Sequence, residues 1–337
     1  MLKKQGFILG IDAGGTRTRA VITDESGSVL GLGYSGGANQ HIVPLDEGFG
    51  HIKNAVEQAK VEVQKNNASL RVEKFEAACL GLAGYDSDDD RKMIREYLGN
   101  LALSERTLGA KILTVVNDGL IGFKSGTDNS YGICMISGTG SNCYGVAISG
   151  REARAGDWGY ILGDQGSGFV IGQKILHQVM REYDGREKET ALTVKVLKHL
   201  TLKSPLDLIK WVYASPLPVK EIASLAKLMS DPELADLSIL SELLDQSVEE
   251  LMMAYKAVFR RLEFGFKDKI PVVLVGGLFE VRDRLAGVVV KAIKERTPNA
   301  EIVFSKQQSV QGAVKVAQMA LMKQTLSDSA LIMMDSD

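Results

Sequence analysis

The chain has 337 residues, of which 45% are hydrophobic and 24% are charged. At roughly 150 residues per domain, this length predicts about two domains with real cores and excludes a small disulfide-stapled scaffold. The 40 Lys and Arg against 42 Asp and Glu give a formal charge of −2, without the basic surplus of nucleic-acid-binding proteins or of proteins that dock on anionic membranes. Glycine is the outlier, with 35 residues against 7 prolines, which favours tight turns and ligand-binding loops.

The three cysteines, Cys79, Cys134 and Cys143, have neither a paired spacing nor a histidine cluster that would hold zinc or an iron–sulfur centre. A reducing cytoplasm is therefore the expected location. The apolar run before Asp12 is only about five residues long, shorter than the hydrophobic stretch of a signal peptide. Together with the balanced charge, these features predict a protein that has neither a membrane nor a nucleic acid as its partner.

The first third of the chain alternates strands and helices. Residues 7–11 and 19–23 are predicted strands around the turn Gly14-Gly15-Thr16, and a hairpin signal at 24–27 leads to a strand at 29–33. The elements expected next are a helix at 46–65, a strand at 75–80, a helix at 87–98 and a strand at 112–116. This alternation favours α/β layers with largely buried sheets.

The pattern of strand, glycine turn, strand and hairpin returns at 133–150. A strand at 133–136 precedes Ser137-Gly138-Thr139-Gly140-Ser141, and a strand at 144–148 ends in a second hairpin turn. Twelve positions separate Gly15 from Gly27, and twelve separate Gly138 from Gly150. The repeat predicts a duplicated core in which each half offers a loop to one shared ligand, and the alternative is a coincidence between two hairpins.

The chain after residue 166 is predicted to be mostly helical. Apolar residues between 234 and 262 follow a 3.6-residue period, which predicts one long helix or two shorter ones, buried as core or as a dimer interface. A strand at 271–275, a strand at 301–304 and a helix at 311–323 follow, and the last dozen residues are expected to fray.

The expected domains are an N-terminal one over 1–118 and a C-terminal one over 119–310 that carries a helical insertion. The final helix at about 311–323 can pack back on the first domain.

Two loops have the composition of phosphate-binding turns, although the chain contains no P-loop string. Their glycines would let backbone N–H groups approach an anion, and their hydroxyl groups would add donors. The residues are Gly14, Gly15 and Thr16 in the first loop and Gly138, Thr139, Gly140 and Ser141 in the second. Facing each other, they could hold a triphosphate from both sides, and the alternative for each is an ordinary glycine hairpin.

Two carboxylates are placed for chemistry. Asp12 follows the first strand directly before the glycine turn, where it could hold Mg2+ through waters beside a phosphate chain, or could simply initiate the turn. Asp118 ends an apolar strand, and ligands of open α/β sheets collect at the carboxyl ends of strands. It is therefore a candidate general base, with a helix N-cap as the competing interpretation.

The densest cluster of polar residues and glycines spans 157–168. Within it, Asp164 could point into a cleft, Ser167 could cap the following helix, and Trp158 could stack on a sugar or fill the core. Carbohydrate recognition needs carboxylates, amides and an aromatic wall. Asn39, His41, Asp118, Trp158 and Asp164 would supply them.

These motifs together resemble the actin-like ATPase superfamily. The resembling strings are Gly10-Ile-Asp12-Ala-Gly-Gly-Thr16-Arg-Thr18, Ile136-Ser-Gly-Thr-Gly-Ser141 and the adenosine-type motif Val275-Gly276-Gly277. Within that superfamily the chain is similar to the N-acetylglucosamine kinase branch of the BadF/BadG/BcrA/BcrD ATPase family. The closer similarity rests on Gly37-Ala-Asn39-Gln-His41, Gly81-Leu-Ala-Gly84, Asn117-Asp118-Gly119, Trp158-Gly159 and Gly163-Asp164-Gln-Gly166-Ser167.

The resemblance implies an α/β fold of two actin-like ATPase, or ribonuclease H-like, domains around a central cleft that closes on sugar. ATP and Mg2+ would be the cofactors, with Mg2+ near Asp12. The implied sugar contacts are Asn39, Gln40, His41, Asp118, Trp158, Gly159 and Asp164, of which Asp118 would be the general base. The implied nucleotide contacts are Gly14, Gly15, Thr16, Gly138, Thr139, Gly140, Ser141, Gly276 and Gly277.

The resemblance thus implies an ATP-dependent kinase for the 6-hydroxyl of N-acetylglucosamine or a related hexosamine. A homodimer in the cytoplasm is expected. The alternatives are a kinase of glucosamine, of N-acetylmuramate or of hexoses in general. A sugar sensor and an ATPase that activates another enzyme are further readings.

Overall fold

The computed structural model describes residues 6–102, 108–265, 267–280, 285–324 and 326–334, and it shows a mixed α/β protein with two sheets. The strands are β1 (Phe7–Ala13), β2 (Thr18–Asp24), β3 (Val29–Ser35), β4 (Ala77–Leu82), β5 (Ile112–Asn117), β6 (Gly132–Ser137), β7 (Ser141–Val146), β8 (Glu152–Gly156), β9 (Pro271–Val275), β10 (Glu301–Phe304) and β11 (Leu331–Met334).

In chain order the helices are α1 (Leu45–Asn66), α2 (Asp88–Gly99), α3 (Asp118–Gly126), α4 (Gly159–Leu162), α5 (Gly168–Tyr183), α6 (Ala191–Leu200), α7 (Asp207–Val212), α8 (Val219–Ser224), α9 (Ser238–Arg261), α10 (Gly277–Glu280), α11 (Gly287–Arg296) and α12 (Ser309–Leu321).

The first sheet has the strand order β11-β5-β4-β1-β2-β3. Its centre is parallel: β1 pairs with β4 and β4 pairs with β5, while β2 and β3 continue from β1 as antiparallel neighbours. In this register Ala13 lies opposite Leu82, and Leu82 lies opposite Asn117. The carboxyl ends of the three parallel strands therefore lie side by side at one edge of the sheet.

Helix α1 packs on β2 and β3 through one apolar face. Buried apolar residues recur at the spacing of successive helical turns, at Phe49, Ile52, Val56, Ala59 and Val63. This period puts them on one stripe, and they join a core that also takes in β1, β4 and β5. Helix α12 packs against β1, β4 and α3.

The second sheet has the order β10-β9-β6-β7-β8. If β11 is set aside, the first sheet reads β5-β4-β1-β2-β3, which is the same order in the same positions along the chain. The repeated topology confirms the duplicated core predicted from the two glycine turns.

The apolar stripe predicted between 234 and 262 forms one long helix, α9 (Ser238–Arg261), preceded by a short 3-10 turn at Pro232–Leu234. Its buried face includes Leu251, Tyr255 and Val258 of the predicted stripe, which are core. Leu244 and Val248 of the same stripe are half-buried, and the dimer-interface alternative stays a prediction.

The chain divides into two compact units. The first consists of Met1–Cys134, Tyr144–Ala153 and Val303–Asp337, and the second of Met135–Cys143 and Arg154–Ile302. These limits differ from the 1–118 and 119–310 division expected from sequence, since α3 lies in the first unit. Helix α12, close to the predicted 311–323 helix, also lies in the first unit.

The expectation of frayed final residues was wrong for 331–334. These residues form β11, which pairs antiparallel with β5, with Leu331 opposite Val115 and Met333 opposite Leu113. Leu331 and Met333 pack on the core while Ile332 and Met334 face outwards, which is the alternation of an edge strand. Within the described ranges, no helix is both long enough and apolar enough to cross a membrane.

Candidate active site

Asp12 lies within β1, where its neighbours across the sheet are Gly81 of β4 and Arg19 of β2. It therefore precedes the turn rather than initiating it, because the turn closes further on, where the Gly14 N–H donates to the Arg17 carbonyl at 3.0 Å. Burial raises the pKa of Asp12 to about 6, and the Arg17 charge partly opposes this shift. Asp12 is thus a desolvated carboxylate at the carboxyl edge of the first sheet.

Residues 14–17, the first glycine turn, are held by backbone contacts. The Ala38 N–H donates to the Gly14 carbonyl at 2.9 Å. Gly37 lies so close that a Cβ there would be 2.1 Å from the Gly15 oxygen. Thr16, at the tip, is exposed. The turn therefore has a fixed backbone and presents one free-standing hydroxyl side chain.

The segment Asn39-Gln40-His41 comes directly after Ala38, whose N–H bonds the first glycine turn. The Asn39 Oδ1 accepts the His41 N–H at 2.9 Å, and the Gln40 side-chain amide donates to the carbonyl of Gly84, which lies in the loop after β4. The Gln40 Oε1 is buried, and no described residue donates to it. This segment therefore brings amide groups to the same edge as Asp12, with one buried acceptor in need of a donor.

Sequence reasoning missed two acids beside His41. The His41 Nε2 lies 3.1 Å from the Asp90 Oδ1, and ligand atoms of His41, Asp86 and Asp90 all lie within 4.8 Å of one another. Asp90 also caps α2, since its carboxylate accepts from the N–H and hydroxyl of Ser87. The signal in the sequence was the acidic run that follows Gly84.

Asp118 is the first residue of α3, at the end of β5. The helix cap is its neighbour: the Asn117 Oδ1 accepts the Gly119 N–H at 2.8 Å, and the Asn117 Nδ2 donates to the Asp86 Oδ1 at 2.8 Å. The N-cap interpretation of Asp118 was therefore wrong. Asp118 is partly exposed and lies at the same edge of the sheet as Asp12 and Asn39.

Residues 137–141, the second glycine turn, are held from both ends. The Gly168 and Phe169 N–H groups at the start of α5 donate to the carbonyls of Gly138 and Thr139, at 2.8 and 3.2 Å. The Ser137 Oγ donates to the Gly166 carbonyl at 2.8 Å, and the Ser141 Oγ donates to the Gln165 carbonyl at 2.7 Å. These last two bonds join the ends of the turn to the segment before α5.

The adenosine-type motif lies against this turn. Gly276 has φ +113°, and a Cβ there would be 2.2 Å from the Ser137 carbonyl oxygen, so glycine is required. A Cβ at Gly138 or Gly277 would meet nothing within 4 Å. Backbone is therefore bare at both positions, as close approach of a ligand needs.

Residues 157–164, the Trp158 segment, are fastened to the second turn at both ends. The Asp157 N–H donates to the Ser141 carbonyl at 3.2 Å, and the Asp157 Oδ2 accepts from the Asn142 Nδ2 at 3.1 Å. The Asp164 Oδ1 accepts the Ser141 N–H at 3.0 Å. Both aspartates have left-handed backbones, with φ +68° and +62°.

Burial raises the pKa of the Asp157 and Asp164 carboxyls. The Arg154 guanidinium opposes the shift at Asp157, and the nearby charge of Asp164 adds to it.

Ser167 caps α5 as predicted, since its hydroxyl accepts the Val170 N–H at 3.3 Å.

Trp158 is 60% exposed, so it does not fill core. The Arg154 guanidinium lies 4.8 Å from the centre of its ring. Gly159 begins the short helix α4, whose Ile161 and Leu162 are also exposed. The indole is therefore largely exposed to solvent, with the Arg154 guanidinium over its ring.

The structure thus brings the predicted site residues into two groups, one in each unit. The first unit gathers Asp12, Gly14, Gly15, Thr16, Asn39, Gln40, His41 and Asp118. The second unit gathers Gly138, Thr139, Gly140, Ser141, Trp158, Gly159, Asp164, Gly276 and Gly277.

A family model for the BadF/BadG/BcrA/BcrD ATPases matches residues 9–317. The chain belongs to this family. It is 32% identical over 312 residues to an N-acetylmuramic acid/N-acetylglucosamine kinase of Clostridium acetobutylicum, a match that covers 92% of this chain and 98% of the relative. It is 29% identical over 326 residues to an N-acetyl-D-glucosamine kinase of Dictyostelium discoideum, covering 94% of this chain and 98% of the relative.

Solved structures confirm the fold. A proposed N-acetylglucosamine kinase from Chromobacterium violaceum superposes with a TM-score of 0.70 at 23% identity, over 93% of this chain and 99% of that one. A ROK family glucokinase from Streptomyces griseus gives a TM-score of 0.56 at 15% identity, over 93% and 99% of the two chains. The α/β fold is therefore shared with these two solved structures.

Proposed function

We propose that the chain is an ATP-dependent kinase that phosphorylates the 6-hydroxyl of N-acetylglucosamine or a related hexosamine. The observation that carries the proposal is the place of Asp118 beside the carboxyl ends of β1, β4 and β5, on the edge that also holds Asp12 and Asn39. Relatives that match more than nine tenths of the chain are named as kinases of these sugars, which supports the same conclusion.

Asp118 is the general base of the proposed reaction. Its carboxylate accepts the proton of the sugar 6-hydroxyl as that oxygen forms a bond to the γ-phosphorus of ATP. The bond between the γ-phosphorus and the bridging oxygen breaks, and ADP leaves with the electron pair. Positioning and charge stabilisation supply most of the acceleration in such transfers, and a general base typically adds about 100- to 10,000-fold.

The residues present fit ATP. Bare backbone at Gly138 and Gly277 admits a ligand, and the exposed hydroxyls of Thr16 and Thr139 can donate to phosphate oxygens. The Ser141 hydroxyl already donates to the Gln165 carbonyl, so Ser141 contributes to the shape of the turn.

The donor set at Asp12 fits Mg2+, because a desolvated carboxylate offers the hard oxygen ligands that this ion prefers. When bound there, Mg2+ would offset the negative charge of the phosphates. Asp12 would hold the ion beside the first glycine turn.

The sugar contacts are proposed at Asn39, Gln40, His41, Trp158, Gly159 and Asp164. The buried Gln40 Oε1 needs a donor, and a sugar hydroxyl supplies one. The exposed Trp158 ring offers the apolar surface that carbohydrate faces pack on.

The test is a panel of sugars in an ADP-release assay with N-acetylglucosamine, N-acetylmuramic acid, glucosamine, glucose and mannose. We expect turnover to be fastest with N-acetylglucosamine. The absence of sugar-stimulated ADP release with every sugar would refute the proposal. A faster reaction with another member of the panel would reassign the substrate.

The acceptor position is tested with 6-deoxy-N-acetylglucosamine as the matched control. We expect it to bind and to give no phosphorylated product, since its C6 has no hydroxyl. A phosphorylated 6-deoxy product would place the transfer on another hydroxyl.

We also propose a homodimer located in the cytoplasm. The three cysteines are buried and no disulfide joins any two of them, which accords with a reducing compartment. Light scattering coupled to size-exclusion chromatography would measure the mass in solution, and a single-chain mass would overturn the dimer.

A further inference from the structure

Three consecutive residues before α5 hold the second glycine turn. Asp164 accepts the Ser141 N–H through its carboxylate, Gln165 accepts the Ser141 hydroxyl through its carbonyl, and Gly166 accepts the Ser137 hydroxyl through its carbonyl. Two of these acceptors are backbone carbonyls. Asp164 is the side-chain acceptor of the set, so its contribution can be removed by substitution.

The geometry around Asp164 is fixed from several directions. Its side chain is buried, with 8% exposed, and its own carbonyl accepts the Ser167 N–H at 3.0 Å. A Cβ at Gly140 would lie 2.9 Å from the Asp164 Oδ1, so the carboxylate rests directly against the turn. The left-handed backbone at Asp164, which Asp and Asn tolerate better than most residues, turns the side chain towards Ser141.

We propose that Asp164 is a positioning residue for nucleotide phosphates, because its carboxylate holds the Ser141 N–H and thereby fixes the second glycine turn before any sugar binds. The proposal rests on the proposed function for the identity of the ligand as a nucleotide. It adds to the expected sugar contact of Asp164 a second role that is independent of sugar. A turn whose shape is fixed in advance loses less conformational entropy when phosphates bind.

The carboxylate has two properties with opposite effects on an anion. As an acceptor it orders the turn, which favours phosphate binding; as a negative charge near phosphates it opposes binding. Asp164→Asn keeps an acceptor oxygen and the tolerance for a left-handed backbone but removes the charge. Asp164→Gly also tolerates that backbone and removes the acceptor.

The experiment measures MgADP binding to the purified full chain by isothermal titration calorimetry with no sugar present. Asp164→Asn should bind MgADP as tightly as the natural chain, within about twofold, or more tightly. Asp164→Gly should bind about tenfold or more weakly, since a hydrogen bond to a charged group is lost from the turn. Equal affinities for Asp164→Gly and the natural chain would overturn the proposal.

Asp157→Gly is the matched control, since it makes the same change as Asp164→Gly. Asp157 is a second aspartate with a left-handed backbone in the same segment, but its carboxylate bonds the Asn142 side chain rather than an amide of the turn. We expect its affinity for MgADP to stay within about twofold of the natural chain. A loss equal to that of Asp164→Gly would show a general effect of the segment and would overturn the specific role of Asp164.

A second measurement applies even where Asp164→Gly does not fold. Hydrogen exchange of the Ser141 amide in the natural chain, without nucleotide or sugar, should be slow. Exchange at the rate of an open loop would overturn the proposal.

The failures of the two proposals are distinguishable. Absence of turnover with every sugar, together with the expected MgADP pattern, would refute the sugar kinase and support Asp164. Sugar-dependent turnover with unchanged MgADP affinity in Asp164→Gly would refute the role of Asp164 alone. A natural chain that does not bind MgADP would refute both.

Discussion

The two glycine turns occupy the same position in the repeated strand order, between β1 and β2 and between β6 and β7, yet they are stabilised differently. In the first turn, backbone groups bond each other, as Gly14 does with Arg17 and Ala38. The second turn also has backbone bonds, such as that from the Gly138 N–H to the Gly140 carbonyl, but in addition its two serine hydroxyls donate to carbonyls of the segment before α5. The threonine is exposed in both turns, so the side chain available to a ligand is equivalent although the support is not.

The difference indicates that the edge of the first sheet and the second glycine turn have different functions. At the edge of the first sheet Asp118 is partly exposed, whereas the buried Asp164 carboxylate holds the second turn by accepting the Ser141 N–H. We therefore expect substitutions in the first region to change turnover and substitutions in the second to change stability and nucleotide binding.

The largest effect on turnover is expected from Asp118→Asn. This substitution should lower kcat by about 100- to 10,000-fold, because the general base is lost. Stability should fall by about 1 kcal/mol or less, from the lost charge at the start of α3. Steady-state ADP release and thermal melting measure the two quantities. Asp46→Asn, an acid in the first turn of α1, is the control and should keep full turnover. Full activity in Asp118→Asn would break the assignment of chemistry to the first region.

Gly276→Ala should destabilise the second region by about 3 kcal/mol. The new Cβ would lie 2.2 Å from the Ser137 carbonyl oxygen, at a φ of +113° that alanine rarely adopts. Gly277→Ala, where a Cβ meets nothing within 4 Å, should cause no loss. Chemical denaturation measures both, and equal stabilities would contradict the tight contact between Gly276 and the second turn.

Gly37→Ala makes the corresponding change beside the first turn. A Cβ there would lie 2.1 Å from the Gly15 oxygen, but without a left-handed backbone, so the expected loss is smaller, about 2 kcal/mol. Gly50→Ala, in an open position of α1, is the control and should gain about 0.5–1 kcal/mol, because alanine favours a helix. A larger loss from Gly37→Ala than from Gly276→Ala would reverse the comparison.

The smallest effect is expected on the pH dependence of folding stability, through Asp157. The side chain of Asp157 faces Asn142, Arg154 and Asp164. Its raised pKa means that ionisation opposes folding at neutral pH, so Asp157→Asn should stabilise by about 1 kcal/mol or less at pH 7. The gain should shrink as the pH falls through the folded-state pKa and vanish below about pH 4, where the carboxyl is protonated in both states. Thermal melting across this range measures it, and a gain that persists at pH 3 would exclude ionisation as the cause.

Much of the fold could be predicted because it depends on local pattern. The apolar period predicted a helix at 46–65, close to α1 (Leu45–Asn66), and the glycine spacing predicted the repeat of strand order. β11 could not be predicted, since a four-residue apolar run becomes a strand only through its distant partner β5. The boundaries of the two compact units could not be predicted for the same reason, because they depend on long-range packing such as that of α12 on β1 and β4.

The sequence motifs selected candidate residues for the site, but they did not predict the hydrogen bonds among those residues. Motifs pointed to Asp118 and Asp164, but the cap at Asn117 and the bond from Ser141 to Asp164 depend on backbone angles that the sequence does not display. The acids Asp86 and Asp90 reach His41 only because α2 begins where it does.

The position of α12 and β11 in the first sheet has a consequence for biosynthesis. Strands β1 to β5 are translated before residues 154–302, but the helix that packs on β1 and β4 and the strand that borders β5 are translated after them. The nascent first sheet therefore has an uncovered apolar face while residues 154–302 of the second unit are made, a state in which chaperones bind readily. The first unit becomes complete only after this part of the second unit has been synthesised.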